Sequence, residues 1–218
     1  MKKEQSKNYI TYQKAFWLFM IANVLGVILE GIWCLYRHGH WESHVVTVYG
    51  PFCLIYGLGA LVLYFNAKLQ KKSNMFIQFT SAAILCDVVE YICGFMLEYG
   101  LHMKAWDYKR RAFNLHGYIS LDMTIMWGLL GLIFIYVIVP KYDNFFDKIK
   151  GYKYSIICNI LVFLMILNMS LTSVAIIRWK DRHFSIPPNN KIEEKIDKKY
   201  NDEFMANKFI EWWFVKWI

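Results

Sequence analysis

The sequence predicts an all-α, polytopic integral membrane helix bundle with about five transmembrane helices and a polar C-terminal tail. Three observations predict it. Of 218 residues, 57% are hydrophobic and only 19% charged, below the roughly 25% charged residues of soluble domains. Apolar runs long enough to cross a bilayer, about 20 residues as helix, recur along the chain. The connections between them are short, which favours antiparallel neighbours in a bundle.

Residues 1–14 form a basic N-terminal segment. The first apolar run, Ala15–Tyr36, is longer than a signal-peptide h-region and lacks a small-x-small cleavage pattern, so it reads as an uncleaved span. The other spans are Val48–Ala67, Met75–Tyr99, Tyr118–Val139 and Tyr154–Ile177, which gives a membrane domain over 15–177. In the second, VYGPFCLIYGLGA, Gly50-Pro51 marks an entry turn, because proline cannot continue a helix inward from the loop. Gly57 and Gly59 permit close approach of a neighbouring helix or of a ligand. Residues 178–218 form the tail. Pro187-Pro188 breaks the chain after Arg182, Ile192, Ile196 and Tyr200 share one helical stripe, and Asn201-Asp202 offers an N-cap. Trp212, Trp213 and Trp217 give the ending the aromatic density of an interfacial segment at headgroup level; a packed docking helix is the other reading.

The net charge of +8 sits in the connections and the tail, and no nucleic-acid-binding motif accompanies it, so no nucleic-acid partner is expected. It reports lipid headgroups and orientation. Lys2, Lys3, Lys7 and Lys14 precede the first span, with Lys68, Lys71 and Lys72 in the second connection. The fourth carries Lys141, Lys148, Lys150 and Lys153. The first connection carries only Arg37, while the third has Lys104, Lys109, Arg110 and Arg111. This balance favours a cytoplasmic N-terminus. With five spans, the first connection, the third connection and the tail share one face.

The five cysteines fall in apolar segments, form no CxxC pair and read as buried thiols. RHGHWESH holds His38, His40, Glu42 and His44 without a zinc-type spacing, so these read as interfacial or pH-sensitive histidines and no metal is expected. The chain has no Walker A, GxSxG or HExxH motif. No cofactor is expected, and the sequence leaves open whether the protein is an enzyme.

The spans contain five carboxylates: Glu30, Asp87, Glu90, Glu98 and Asp122. Asp87, Glu90, Gly94 and Glu98 lie on one helical face. Glu30 lies about 9 Å, and Glu90 roughly 15 Å, from the nearer end of its span at 1.5 Å per residue. A charge at mid-bilayer costs around 2.5–3.5 kcal/mol. The deep acids are therefore expected to face the bundle interior, either protonated because burial disfavours the charge or paired with a cation. By parity the cations are Lys109, Arg110, Arg111, Arg178 and Arg182. Such a column either lines a functional cavity or forms neutral interhelical hydrogen bonds.

With those residues laid out, the chain resembles the bacterial membrane family "putative ABC-transporter type IV", over most of its length. The resemblance is carried by Glu30, YGPFCLIYGLGA from Tyr49, EYICG with Glu90, and Glu98. It continues through WDY at Trp106–Tyr108, Phe113-Asn114, Gly117 and WGLLGL from Trp127. In the tail Arg178, Arg182, Ile196-Asp197 and Glu203–Met205 also fit. Departures stand at Val45, Tyr118 (each an arginine in the family), Leu54 (proline), Ala105-Trp106 (a tryptophan pair), Lys109 (serine) and Asn168 (aspartate). The resemblance implies a multi-pass protein of the bacterial plasma membrane, with any energising ATPase a separate subunit. That subunit would dock on the second or fourth connection, neither of which shows an obvious coupling helix.

The expected function is a permease-like or substrate-binding membrane component with an acidic, aromatic-capped intramembrane pocket. Glu30, Glu90 and Glu98 form its wall; Trp106, Asp107, Tyr108 and Asn114 close its mouth as a lid; Arg178 and Arg182 approach from the tail. The ligand is a cation, a proton, an amine-bearing small molecule or a lipid. The alternatives are a membrane-embedded enzyme acting on a lipid or isoprenoid, and a non-transporting regulator or assembly partner.

Overall fold

The computed structural model describes residues 10–149 and 151–215. Lys2, Lys3, Lys7, Lys150 and Trp217 lie outside the described residues, as does most of the basic segment expected at 1–14. The helices are α1 (Tyr12–His38), α2 (Leu54–Leu69), α3 (Met75–Phe95), α4 (Leu121–Ile133), α5 (Val139–Phe146), α6 (Tyr152–His183), α7 (Lys191–Lys199) and α8 (Asp202–Lys208). A π-helical turn, Met96–Gly100, extends α3, and a second, Phe134–Ile138, joins α4 to α5. Pro140, at the start of α5, has no N–H to give the carbonyl four residues back, and the π turn before it absorbs the missing bond.

Among the described residues, four stretches are long and apolar enough to cross a membrane: Tyr12–His38, Met75–Gly100, Leu121–Phe146 and Tyr152–His183. Their outer faces carry exposed apolar side chains, such as Leu25, Leu29, Ile32 and Trp33 on α1. The chain is a multi-pass membrane protein. Helix α2 is apolar but has 16 residues, about 24 Å at the helical rise, so the fifth expected span is the short one. The cause is local. Gly50 has φ +77° and Pro51 follows, so the chain from Val48 enters as an irregular turn. The Val48 N–H donates to Thr172 Oγ1 (2.9 Å) and the Tyr49 N–H to Asn168 Oδ1 (3.3 Å). Side chains of α6 thus supply the acceptors that a helix would have provided.

The chain packs as two compact units. The first takes the described residues up to Ala22, Ile55–Cys93 and Asp107–Leu161; the second takes Asn23–Leu54, Gly94–Trp106 and the described residues from Val162 onward. In the first, Leu18, Leu63, Tyr64, Ala82, Cys86, Trp127 and Phe134 form the core. Helices α3 and α4 approach closely where α4 has no side chains. A Cβ on Gly131 would overlap Ala82, and one on Gly128 would overlap the Phe79 ring. A polar cluster ties α1, α2 and α5 together. Lys14 pairs with Asp147 (2.5 Å) and Asp143 (3.6 Å), Lys68 pairs with Asp143, and the Tyr64 hydroxyl donates to Asp143 at 2.6 Å.

The second unit is built around the tail. Val48, Met103, Ala175, Trp179, Tyr200, Met205 and Phe209 are buried together, with Ile196 and Trp212 packed against them. Strand β1 (Met103–Lys104) pairs antiparallel with β2 (Trp213–Phe214), Met103 opposite Phe214. Asn190 caps α7 through Ile192 and Glu193 N–H groups, and Asn201 caps α8 through Phe204 N–H. Of the expected stripe, Ile196 and Tyr200 pack inward while Ile192 is exposed. Packing is what the structure shows for Tyr200, Met205 and Phe209.

Valine at Gly131 would have to displace Ala82 and push α3 and α4 away from each other. The expected loss is about 2 kcal/mol, read as a lowered unfolding midpoint of the purified protein, whereas Gly59→Ala, with only ordinary contacts to Trp127 near 3.8 Å, leaves the midpoint nearly unchanged.

Candidate functional site

Glu90 sits on α3 in the first unit, one turn after Asp87, and is 4% exposed. Its carboxylate has two donors. The Trp127 Nε1–H of α4 donates to Oε2 at 2.9 Å, and the Tyr108 hydroxyl donates to Oε1 at 3.0 Å. Tyr108 in turn lies under the Arg111 guanidinium, 5.0 Å from the ring centre, and Arg111 is ion-paired with Asp122. Ser120 Oγ donates to Asp122 at 2.5 Å. A run of contacts therefore connects the exposed loop to the buried acid: Asp122, Arg111, Tyr108, Glu90, Trp127. Arg111 reaches Glu90 through an aromatic ring and not by direct pairing.

The loop holds its own shape. Asp107 Oδ1 accepts the Lys109 N–H at 2.8 Å, and Tyr108 N–H donates to the Gly117 carbonyl at 2.8 Å. Gly117 has φ +80°, and a Cβ there would strike Asp107 and Lys109, so glycine is required on both counts. The Asn114 amide donates to the Lys109 and Arg111 carbonyls, both at 3.0 Å. Asn114 thus ties the loop backbone, and Asp107 turns the chain at its entrance. Tyr118 is buried edge-on against Tyr91, ring centres 5.2 Å apart, and the Tyr91 hydroxyl meets His116 Nδ1 at 2.8 Å.

Beside this set lies a groove of about 340 Å³, lined by Ile84, Asp87, Val88, Tyr91, Ile92, Leu115 and Ile119. Asp87 is its one charged wall residue. Thr124 Oγ1 is 2.6 Å from Asp87 Oδ2, while Asp87 Oδ1 is buried and has no hydrogen-bond partner among the described residues.

The second unit holds the remaining expected residues. Glu98 pairs with Lys104 at 3.2 Å, both largely buried. Lys104 lies in the same connection as Lys109, Arg110 and Arg111 but is not among the cations expected for the acids; the short strand β1 holds it buried beside Glu98. Glu30 lies 3.7 Å from His44 Nδ1. Trp106 is half-buried. Arg178 donates through Nε (3.1 Å) and Nη2 (2.7 Å) to the two oxygens of Asp197, and Arg182 donates to Asp197 at 2.5 Å and to the Tyr200 carbonyl at 2.8 Å. Asp181 and Glu193 also face Arg178, and Asp202 faces Arg182. The structure thus brings Arg178 and Arg182 together on one carboxylate of α7. Asn168 returns a bond to the Tyr49 carbonyl at 2.8 Å and so holds the Gly-Pro turn.

Within the first unit, then, the structure joins Glu90 to Tyr108, while Asp107 and Asn114 bond to the loop's own backbone. Trp127 and Arg111 complete the Glu90 set; Trp127 is not among the site residues expected from the sequence, and Arg111 is expected there only as one of the cations available to the deep acids. The signal for Trp127 is a lone indole N–H in an apolar helix, which needs an acceptor when buried.

Removing the Tyr108 hydroxyl in Tyr108→Phe leaves Glu90 with one donor and is expected to cost about 1–2 kcal/mol, read from unfolding midpoints, with Trp127→Phe costing a similar amount. The tail should respond to acid. Hydrogen bonds from Arg178, with Arg182 and both charges adding, hold the Asp197 carboxyl below the usual carboxylate range against a smaller effect of burial. A depressed native value means the stabilisation is complete above the unfolded value, about pH 4, and is lost as pH falls through the native one. Hydrogen exchange in α7 should therefore be flat from pH 7 to about 4, once corrected for intrinsic rates, and rise below that, and Asp197→Asn should remove the pH step.

Neither a curated protein nor a solved structure matches the chain. A family model described as Putative ABC-transporter type IV matches residues 17–173. That stretch includes Glu30, Asp87, Glu90, Glu98 and the whole Trp106–Gly117 loop, and stops within α6 before Arg178. On the extent of this match, the chain belongs to the putative ABC-transporter type IV family, a transport-related family of membrane proteins.

Proposed function

We propose that this chain is a permease-like, substrate-binding component of a transport system, and that its first unit takes the cationic or amine end of an amphiphilic ligand at Asp87. The observation that carries this reading is the groove in which Asp87 is the one charged wall residue among apolar and aromatic side chains, its Oδ1 buried and without a hydrogen-bond partner among the described residues. A buried acceptor left unsatisfied costs about 1–3 kcal/mol. An ammonium in the groove would satisfy it and gain a charge-assisted bond, while the alkyl portion covers Ile84, Val88, Ile92, Leu115 and Ile119. Glu90 stands one turn away, fixed by Tyr108 and Trp127, and sets the negative potential of the groove. A base acting on a lipid or isoprenoid would need access to the substrate proton, and both oxygens of Glu90 already accept bonds.

In this reading the N-terminus is cytoplasmic, as the lysines of the second and fourth connections favour. The protein resides in a bacterial plasma membrane with lipid around it, and a separate ATPase subunit engages those two connections. The membrane domain spans 15–177, and in the tail beyond it Arg178 and Arg182 serve to seat α7.

The test uses the full chain in lipid nanodiscs, with empty nanodiscs subtracted, and compares equilibrium binding of dodecylamine and dodecanol. The expected result is saturable amine binding that weakens about tenfold or more in Asp87→Asn, a change of at least 1.4 kcal/mol, with dodecanol equal in both proteins. Amine binding that is non-saturable, or equal in the two proteins, overturns the reading and leaves the polar set as a lock on the bundle.

A further inference from the structure

The end of α1 and the connection after it bring together three side chains that the sequence does not pair. Cys34 lies one turn before the end of α1, Glu42 and His44 in the extended chain beyond it. One ligating atom from each lies within 4.8 Å of the other two. Cys34 and His44 are 6% exposed each, and Cys34 Sγ is 3.1 Å from His44 Nε2. Glu42 is half-buried, so the cluster is reached from one side.

The backbone explains the meeting. Gly39, with φ +78°, donates its N–H to the Leu35 carbonyl, the left-handed residue that ends many helices. It reverses the chain, so that the connection runs back along α1. Trp41 then lays its ring where a side chain on Gly31 would be. Gly31 and Cys34 are three apart, on one helical face. The indole seats the returning chain on that face, and Glu42 and His44 arrive beside Cys34.

We infer that Cys34 Sγ, His44 Nε2 and a Glu42 carboxylate oxygen form a binding site for Zn²⁺, with the fourth position open to water or another ligand. The donor set suits this borderline-soft ion: thiolate, imidazole and carboxylate are its three common protein ligands, and three of them plus one open position is a recurring arrangement. Zn–S near 2.3 Å and Zn–N near 2.0 Å at a tetrahedral angle separate S from N by about 3.5 Å, so the observed 3.1 Å contact opens by a few tenths of an ångström. The carboxylate lies in irregular chain and closes the remaining distance by side-chain rotation.

Both non-sulfur ligands are backed from behind. His44 Nδ1 faces Glu211 in contact and Glu30 at 3.7 Å, which keeps the proton on Nδ1 and points the Nε2 lone pair at the site. His40 Nε2 lies 2.7 Å from Glu42 Oε1, and its Nδ1 lies 3.1 Å from the His38 carbonyl. Binding exchanges water ligands of the hydrated ion, released to solvent, for Zn–S, Zn–N and Zn–O bonds and releases the thiol proton to solvent; nothing is oxidised or reduced. The site shares no residue with the proposed ligand groove.

The test is a titration of the purified, chelator-treated full chain with Co²⁺, followed by displacement with Zn²⁺. The expected result is one equivalent of Co²⁺ with visible tetrahedral d–d bands and a near-ultraviolet sulfur-to-cobalt band, both erased by Zn²⁺. Cys34→Ser removes the sulfur band. Glu211→Gln keeps all three ligands and weakens binding about 10–100-fold, which reads the site even if Cys34→Ser fails to fold. A helical wild-type protein without the sulfur band, the same band in Cys34→Ser, or unchanged affinity in Glu211→Gln overturns the assignment.

Discussion

A carboxylate as deep as Glu90 has no water to turn to, and much of the first unit can be read as the answer. In hydrocarbon a polar group is satisfied by its own protein or not at all. Two donors are brought to Glu90, one from α4 and one from the loop. The indole of Trp127 must reach across from α4, and the nearby glycines, Gly128 and Gly131, are what let α4 lie close to α3. The loop must fold back far enough to present Tyr108, and Asp107, Asn114 and Gly117 give it the shape to do so. Close helix packing and loop conformation thus follow from one buried group.

The second unit meets the same requirement at the level of ions. Arg178 is nearly inaccessible, and an uncompensated guanidinium there would be costly. Asp197, Asp181 and Glu193 surround it, two of them delivered by α7. Seating the tail and satisfying α6 are therefore one event. The apolar partners, Trp179, Tyr200, Met205 and Phe209, supply the area; the ion pairs supply the register, since a shift of α7 by one residue would turn Asp197 away from both arginines.

Much of this was legible in the sequence. Long apolar runs located the membrane helices to within a few residues at most ends, because in lipid a helix must satisfy its own backbone. Gly50-Pro51 announced a turn, but not that the turn would consume the first six residues of the expected span. That depended on acceptors from Thr172 and Asn168, more than a hundred residues away. Pairing was the least legible feature. Glu98 takes Lys104, which a charge count assigns to the loop, and Asn114 spends its amide on its own backbone. A Cβ on Gly59 would make only ordinary contact with Trp127, whereas Gly128 and Gly131 lie against Phe79 and Ala82 with no room for one. Glycine spacing states that a face is bare and cannot state what lies opposite. Cys34 reads as a buried thiol, and it is buried; its neighbours Glu42 and His44 are not legible because they come from beyond a chain reversal.

The pairing of β1 with β2 has a consequence for the order in which the protein is made. The first unit is complete when Leu161 has been synthesised, and its core, polar cluster and acid-binding donors can all form at that point. The second unit contains residues from as early as Asn23, yet its ribbon needs Phe214 to meet Met103. Translation supplies about 5–20 residues per second, so the first connection waits on the order of 10–30 s for the tail that completes its unit. During that interval Val48, Met103 and the Arg178 guanidinium lack their partners. A stall or a nick in the tail would therefore leave the second unit without the residues that bury Val48 and Met103 and without the carboxylates of α7 that pair with Arg178.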